Sequence, residues 1–237
     1  MKILCLILAS DTLPEHVEFQ ILWKDIVNKH PDVDCYFYKG NPDLHQSTSL
    51  DGNTLWIKMQ ESLETVYEKT LRAFEYFVPI LDNYDFVYRT NLSTFTSFPH
   101  MIEYCKDLPK QNCCAAVVGG VPYNGNSLHY QTSFPGGNGF LLSPDLVKRL
   151  VEERIPLVDQ DDITIGVALR KWGIPIHQFA RPEFLEPDRY MIINIELLPK
   201  ADRYLHPKKL MFSYRFKTKN RTDDVKGMKR IMELFHV

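Results

Sequence analysis

Apolar runs of two different periods alternate along the first half of the chain. Ile3–Leu8 (ILCLIL) is a continuous apolar run of strand length, as a strand buried on both faces requires. Pro14–Asn28 carries Val17, Ile21, Leu22 and Ile26 at helical spacing, which predicts a helix with those side chains inward. Residues 33–38 read as a second strand, closed by the turn cluster Lys39-Gly40-Asn41-Pro42. The clearest helix spans 61–80, where Leu63, Val66, Tyr67, Thr70, Leu71, Phe74 and Phe77 form one stripe. Residues 84–90 read as a strand, 98–106 as a short helix and 113–118 as a strand ending in Gly119-Gly120. This alternation predicts an α/β fold: a mostly parallel central sheet with helices on both faces.

The second half is less regular. A short strand is expected at 139–142 and a helix at 144–152. Asp161–Trp172 reads as a helix stopped by Gly173, where a left-handed cap is expected, with Ile165, Ala168, Leu169 and Trp172 inward. A late strand is expected at 211–217. The last helix, 222–235, has Thr222 as N-cap, Asp223-Asp224 in its first turn and a stripe of Val225, Met228, Ile231/Met232 and Phe235. No repeat or long linker divides the chain, so 1–237 reads as a single domain. In an open α/β sheet, ligands sit beyond the carboxyl ends of the strands. That directs attention to Ser10-Asp11, Lys39-Gly40, Asn91-Leu92-Ser93 and Gly119-Gly120.

Composition narrows the class. With 237 residues, 44% hydrophobic and a net charge of −2, the chain is globular rather than disordered. No apolar run reaches bilayer-spanning length, so no transmembrane segment is expected. A pI near 6.4 argues against a general nucleic-acid binder. Residues 1–9 are apolar with one Lys, but Ser10-Asp11 follows without a small-residue cleavage pattern. They read as the first strand rather than a signal peptide, and the expected location is cytoplasmic. Five cysteines without framework or zinc-ligand spacing read as reduced thiols, with Cys113 and Cys114 on opposite faces of a strand.

Four clusters could carry chemistry. Asp159, Asp161 and Asp162 open a helix; caps and the helix dipole account for one or two acids, and a third is surplus. Gly166 inside that helix costs about 1 kcal/mol against Ala, so something packs close there. Pro135-Gly136-Gly137-Asn138-Gly139 lets backbone approach a ligand, or simply makes a turn into a strand; its spacing does not fit a dinucleotide fingerprint. Ten basic residues from Arg203 to Arg230 face only two acids, so this stretch carries +8 and the rest of the chain −10. Within it Phe212, Tyr214 and Phe216 face one way and Ser213, Arg215 and Lys217 the other. Arg215 and Lys217 read either as a charged edge strand or as a phosphate site. Arg89 to Phe95 (RTNLSTF) is a polar strand exit, which on its own reads as an Asx or Ser/Thr turn. No H-x-x-x-H or H-E-x-x-H spacing occurs, and His206 is the only histidine near a candidate cluster.

Residues 61–95, then 136–143 (GGNGFLLS), then 160–166 (QDDITIG) resemble the Fringe-like β-1,3-glycosyltransferases over about two thirds of the chain. That family has a K-T-L helix, a strand ending in D-x-D, a G-x-G-[FY]-x-x-S segment and an acidic-pair helix. The resemblance implies one GT-A domain, with a nucleotide-sugar half at 1–120 and an acceptor half, including the basic strand and helix, at 121–237. One departure stands out: Asn91-Leu92-Ser93 replaces D-x-D. Neutral Asn and Ser are poor ligands for Mn2+ or Mg2+, so a metal-independent or weakly metal-dependent enzyme is expected, with no cofactor and no metal site.

The resemblance implies an inverting hexosyl- or pentosyltransferase moving a sugar from a UDP-sugar to a glycan or glycoprotein hydroxyl. Asp162 is the expected general base, and Asp161 caps the helix or positions the acceptor. Asn91, Ser93 and Ser10 are expected to hold the donor, with Arg89 and Lys69 beside them. Arg215 and Lys217 are expected to meet the diphosphate in place of a metal. Gly137 and Asn138 are expected to let backbone near the sugars. Two rivals share these residues: a non-catalytic carbohydrate- or nucleotide-binding module descended from a transferase, and an adaptor using the basic stretch alone.

Overall fold

The computed structural model describes residues 1–120, 132–179, 191–192 and 212–236, with backbone alone at 191–192. Arg203, His206, Lys208 and Lys209 lie outside them. Eleven strands and six α-helices are described: β1 Ile3–Leu8, α1 Pro14–Asn28, β2 Val33–Gly40, β3 Thr48–Asp51, β4 Thr54–Ile57, α2 Val66–Phe77, β5 Phe86–Asn91, β6 Thr94–Thr96, α3 Phe98–Cys105, β7 Cys114–Gly120, β8 Ser133–Leu142, α4 Pro144–Glu153, α5 Asp161–Trp172, β9 Ile176–Gln178, β10 Met191–Ile192, β11 Ser213–Phe216 and α6 Arg221–Leu234. A 3-10 turn, Val78–Asn83, follows α2. None of the described helices is long and apolar enough to cross a membrane.

Eight strands form the central sheet in the order β3-β4-β2-β1-β5-β8-β7-β9. β1 lies parallel between β2 and β5, so its outward groups meet partners on both edges. Its side chains then alternate between two cores. Ile3, Cys5 and Ile7 pack with α1, α3 and α6; Leu4 and Leu6 pack with α2, α4 and α5. Cys113 and Cys114 fall in opposite cores, and every cysteine is buried and reduced. The sheet is mixed: β8 runs antiparallel to both β5 and β7.

Several expected details are corrected. α1 buries Phe19, Leu22, Trp23 and Ile26, while Val17 and Ile21 lie exposed; the helix has apolar residues on two faces, and the aromatic face won. α2 begins at Val66, leaving Leu63 in a loop and 92% exposed. β8 begins six residues earlier than expected, because its glycines act as extended strand rather than turn. Close packing explains Gly166: a Cβ there would lie 2.6 Å from Phe134 Cβ and 2.7 Å from the Ser133 carbonyl of β8. Gly173 does end α5 in the left-handed region, at φ 70°. Asn220, not Thr222, caps α6, accepting the Thr222 N–H at 3.1 Å.

β6 and β11 pair antiparallel in a second, three-stranded sheet with β10. This pairing positions the site. It sets Arg215 opposite Thr94, just past the exit of β5.

Candidate active site

The carboxyl ends of β1 and β5, the middle of β8 and the first turn of α5 converge on one place. Gly137 of β8 is its hub. Its N–H donates to Asp162 Oδ2 at 3.0 Å, and its carbonyl accepts from Asn91 Nδ2 at 2.7 Å and from Arg89 Nη1 at 3.2 Å. A Cβ at Gly137 would lie 3.0 Å from Asp162 Oδ2 and 3.9 Å from Arg215 Nη1. A side chain at Gly137 would therefore crowd the Asp162 carboxylate, while the guanidinium lies at ordinary contact distance.

Asp162 is 7% exposed. Its Oδ1 accepts the Ile163 N–H at 2.9 Å. Burial pushes its carboxyl up to about 6 and Asp161 adds to the rise, while Arg89 and the two N–H donors oppose it. Asp161 does not cap the helix as expected: Gln160 occupies the cap position, and Asp161 is instead ion-paired with Arg89 Nη2. The two adjacent acids thus have different environments, one ion-paired with Arg89 and one buried with a raised pKa.

Arg89 borders the same place. It is buried, and its Nε donates to Tyr38 Oη at 3.0 Å. Its guanidinium ties the Asp161 carboxylate to the Gly137 carbonyl of β8. Lys69 is likewise fully buried and ion-paired with Glu61. Burial pulls its ammonium below the ordinary lysine value, against the pull of Glu61. Asn138 is turned away from the cavities described below: its side chain reaches Ser213 Oγ at 3.5 Å, and its carbonyl accepts from Thr90 and Thr94.

Two adjoining cavities open over this platform. One, of about 320 Å³, is lined by Ser10, Thr12, His16, Glu61, Lys69, Asn91, Ser93, Arg215 and Arg221 above apolar Leu8, Phe19 and Val66. The other, of about 460 Å³, is lined by Tyr67, Arg89, Asn91, Gly137, Asp159, Asp161, Asp162, Arg215 and Lys217. Leu8, Leu63, Val66, Asn91 and Arg215 border both. Of the expected site residues, all but Asn138 border one or both cavities. Sequence reasoning missed Glu61, His16 and Arg221. Glu61 Oε2 accepts the Gly40 N–H at 2.7 Å, tying the loop before α2 to the end of β2. The Lys69 spacing could have pointed to a buried partner, but nothing local marks which acid it is.

Asn91 Oδ1 already accepts from Ser93 Oγ and Thr94 Oγ1, each at 3.1 Å, and its amide serves Gly137. Among the described residues no three His, Cys, Asp or Glu side chains gather as a metal site.

The basic stretch is not a bare patch. Arg221 pairs with Asp224, Lys226 with Asp223, Lys229 with Glu18 and Arg230 with Glu233.

No protein-family model and no curated protein matches the sequence. Among solved structures, the fold is similar to a glycosyltransferase involved in the glycosylation of the major capsid of PBCV-1. The TM-score is 0.52 at 10% identity, over 97% of this chain and 100% of that one. Weaker similarities are to the galactosyltransferase LgtC in complex with donor and acceptor sugar analogues (TM-score 0.45, 12% identity, 99% and 95% covered) and to 4-diphosphocytidyl-2C-methyl-D-erythritol synthase from Anaerococcus prevotii DSM 20548 (TM-score 0.44, 12% identity, 86% and 96% covered). The chain shares its mixed α/β fold, with a central mostly parallel sheet, with the structure of that capsid-glycosylating enzyme.

Proposed function

We propose that this chain is an inverting glycosyltransferase, moving a hexosyl or pentosyl unit from a UDP-sugar to a hydroxyl of a glycan or glycoprotein without requiring a metal ion. One observation carries the reading: Asp162, Arg215 and Lys217 line the same cavity, which continues past Asn91 into a second cavity at the end of β1. The fold and the motif resemblance support the same class.

In this reading the nucleotide lies in the smaller cavity, near Ser10, Asn91 and Ser93. The sugar lies over Gly137. Asp162 takes the acceptor hydroxyl's proton as that oxygen bonds to the anomeric carbon. The bond from that carbon to the phosphate oxygen breaks, and its electron pair leaves with the nucleoside diphosphate. A single displacement of this kind inverts the anomeric centre. Both Asp162 oxygens accept one backbone N–H and keep lone-pair capacity for a proton. A pKa near 6 suits a general base working near neutrality. Arg215 and Lys217 stabilise the charge growing on the leaving diphosphate. Arg89 and Lys69 act one layer below, as braces rather than donor contacts.

Asp162→Asn should abolish transfer while donor binding, read by calorimetry, stays nearly intact. Transfer at the parental rate in that variant removes Asp162 from the mechanism. One observation favours a second reading, a non-catalytic nucleotide- or carbohydrate-binding module: the Asn91 turn is satisfied by Ser93, Thr94 and Gly137 without a ligand. Release of UDP from a UDP-sugar with EDTA present separates the two, since a binding module releases none.

A further inference from the structure

We propose that Arg221 is a third cation of the diphosphate site, held toward it by the buried Asp224, so that the first turn of α6 completes the cradle begun by Arg215 and Lys217. The proposal rests on the donor reading above and adds a residue to it.

Arg221 Nη1 lies 2.9 Å from Asp224 Oδ2. An ordinary pair three residues apart on a helix leaves both ends in water and fixes little. This one is asymmetric: the Asp224 side chain is wholly buried, and that of Arg221 is 38% exposed. Asp224 Oδ1 also accepts the Thr218 N–H at 2.7 Å, tying it to the segment that leaves β11. The carboxylate is therefore a fixed anchor, and the guanidinium is held at its outer end. A guanidinium carries five N–H donors, enough to keep Asp224 and still offer bonds to phosphate oxygens.

Arg221 lines the smaller cavity together with Arg215 and His16. Two other groups register its charge. Lys217 is pulled below the ordinary lysine value by burial and then by Arg215 and Arg221. His16 is pulled below the ordinary histidine value by burial and then by Arg221. Among the described residues lining that cavity, Glu61 is the one carboxylate, and it is already paired with Lys69. Arg215 and Arg221 line this cavity together, and Lys217 lies with Arg215 in the adjoining one, where Asp162 also acts on it, so an anion lying between the two guanidinium groups would meet both. A diphosphate supplies both the charge and the acceptor oxygens.

The test is calorimetry on the full chain with UDP, inorganic pyrophosphate and uridine as probes. Arg221→Ala should weaken UDP and pyrophosphate binding by about 10- to 100-fold, the range of a charge-assisted hydrogen bond, and leave uridine unchanged. Arg221→Gln keeps a donor for Asp224 while removing the charge; it should show the same loss, and it carries the test if the alanine variant does not fold. Asp224→Asn should weaken UDP but not uridine, because it frees the guanidinium without removing it. Parental affinity for UDP and pyrophosphate in the Arg221→Gln variant overturns the proposal; if the double variant Arg215→Ala, Lys217→Ala has meanwhile lost that affinity, the donor reading survives. A parent chain that binds neither UDP nor pyrophosphate overturns both.

Discussion

Replacing Arg89 by Met tests whether the platform beneath the site is held as described. Met matches the aliphatic stem of Arg out to about Nε, but leaves vacant the guanidinium's place beside Phe140, whose ring centre lies 5.5 Å from the guanidinium carbon. It supplies no charge and no donor. The change removes the ion pair to Asp161 and the bonds to Gly137 O and Tyr38 Oη. The pair is 3% and 13% exposed, so solvent cannot replace the lost partner. Breaking a buried pair from one side costs about 3–5 kcal/mol, because the remaining charge is stranded. Against a total stability of about 5–15 kcal/mol, this is a large fraction. Urea unfolding followed by circular dichroism should show a lower midpoint with an unchanged slope. Adding Asp161→Leu should recover part of the loss, since it removes the stranded carboxylate. A single variant within about 1 kcal/mol of the parent would refute the argument, because that is the worth of a solvated pair. A double variant no more stable than the single would also refute it.

Other outcomes follow from the same geometry. The folded-state pKa of Asp162 is raised to about 6 from 3.8, so the native state binds a proton that the unfolded state has already released. Its contribution is therefore present below about pH 4 and is lost as pH rises through about 6, amounting to about 3 kcal/mol. Asp162→Asn should flatten that part of the pH–stability curve; an unchanged curve contradicts the burial argument. Transfer should fall as pH drops below about 6, where the base is protonated. Gly166→Ala should destabilise by about 1–3 kcal/mol, although Ala favours helix, because backbone atoms of Ser133 and Phe134 cannot yield to a Cβ at 2.7–2.8 Å; thermal melting at or above the parental temperature would show that β8 can shift.

How much of this the sequence revealed depends on how local each determinant is. α1 and α5 match their expected limits because proline at one start, glycine at one end and strong periodicity are all local signals. The inward face of α1 was misread because two apolar registers coexist there, and only contact with β1 and α6 chooses between them. The Gly-rich segment hid most of β8, since glycine freedom reads as turn until close packing against Asp162 and α5 is known. The surplus acid at 162 was legible, because capping needs fewer carboxylates than the segment holds. The alternation that put Arg215 and Lys217 on one face was legible too, and β11 keeps it, with Phe212, Tyr214 and Phe216 buried. The brace formed by Arg89 and Asp161 was not, for its partners are 72 residues apart. Asp224 looked like an ordinary first-turn acid because the sequence carries no sign that it is buried.

The central claim is that fixed side-chain cations, working with Asp162, do what a metal ion does elsewhere. The most direct measurement is the release of UDP from a UDP-sugar by the full chain in EDTA, with and without added Mn2+, for the parent and for Arg215→Ala combined with Lys217→Ala. EDTA should leave parental turnover unreduced, and the double variant should bind donor more weakly by about 2–5 kcal/mol and lose turnover. Turnover that EDTA abolishes and Mn2+ restores, with the double variant as active as the parent, would contradict it.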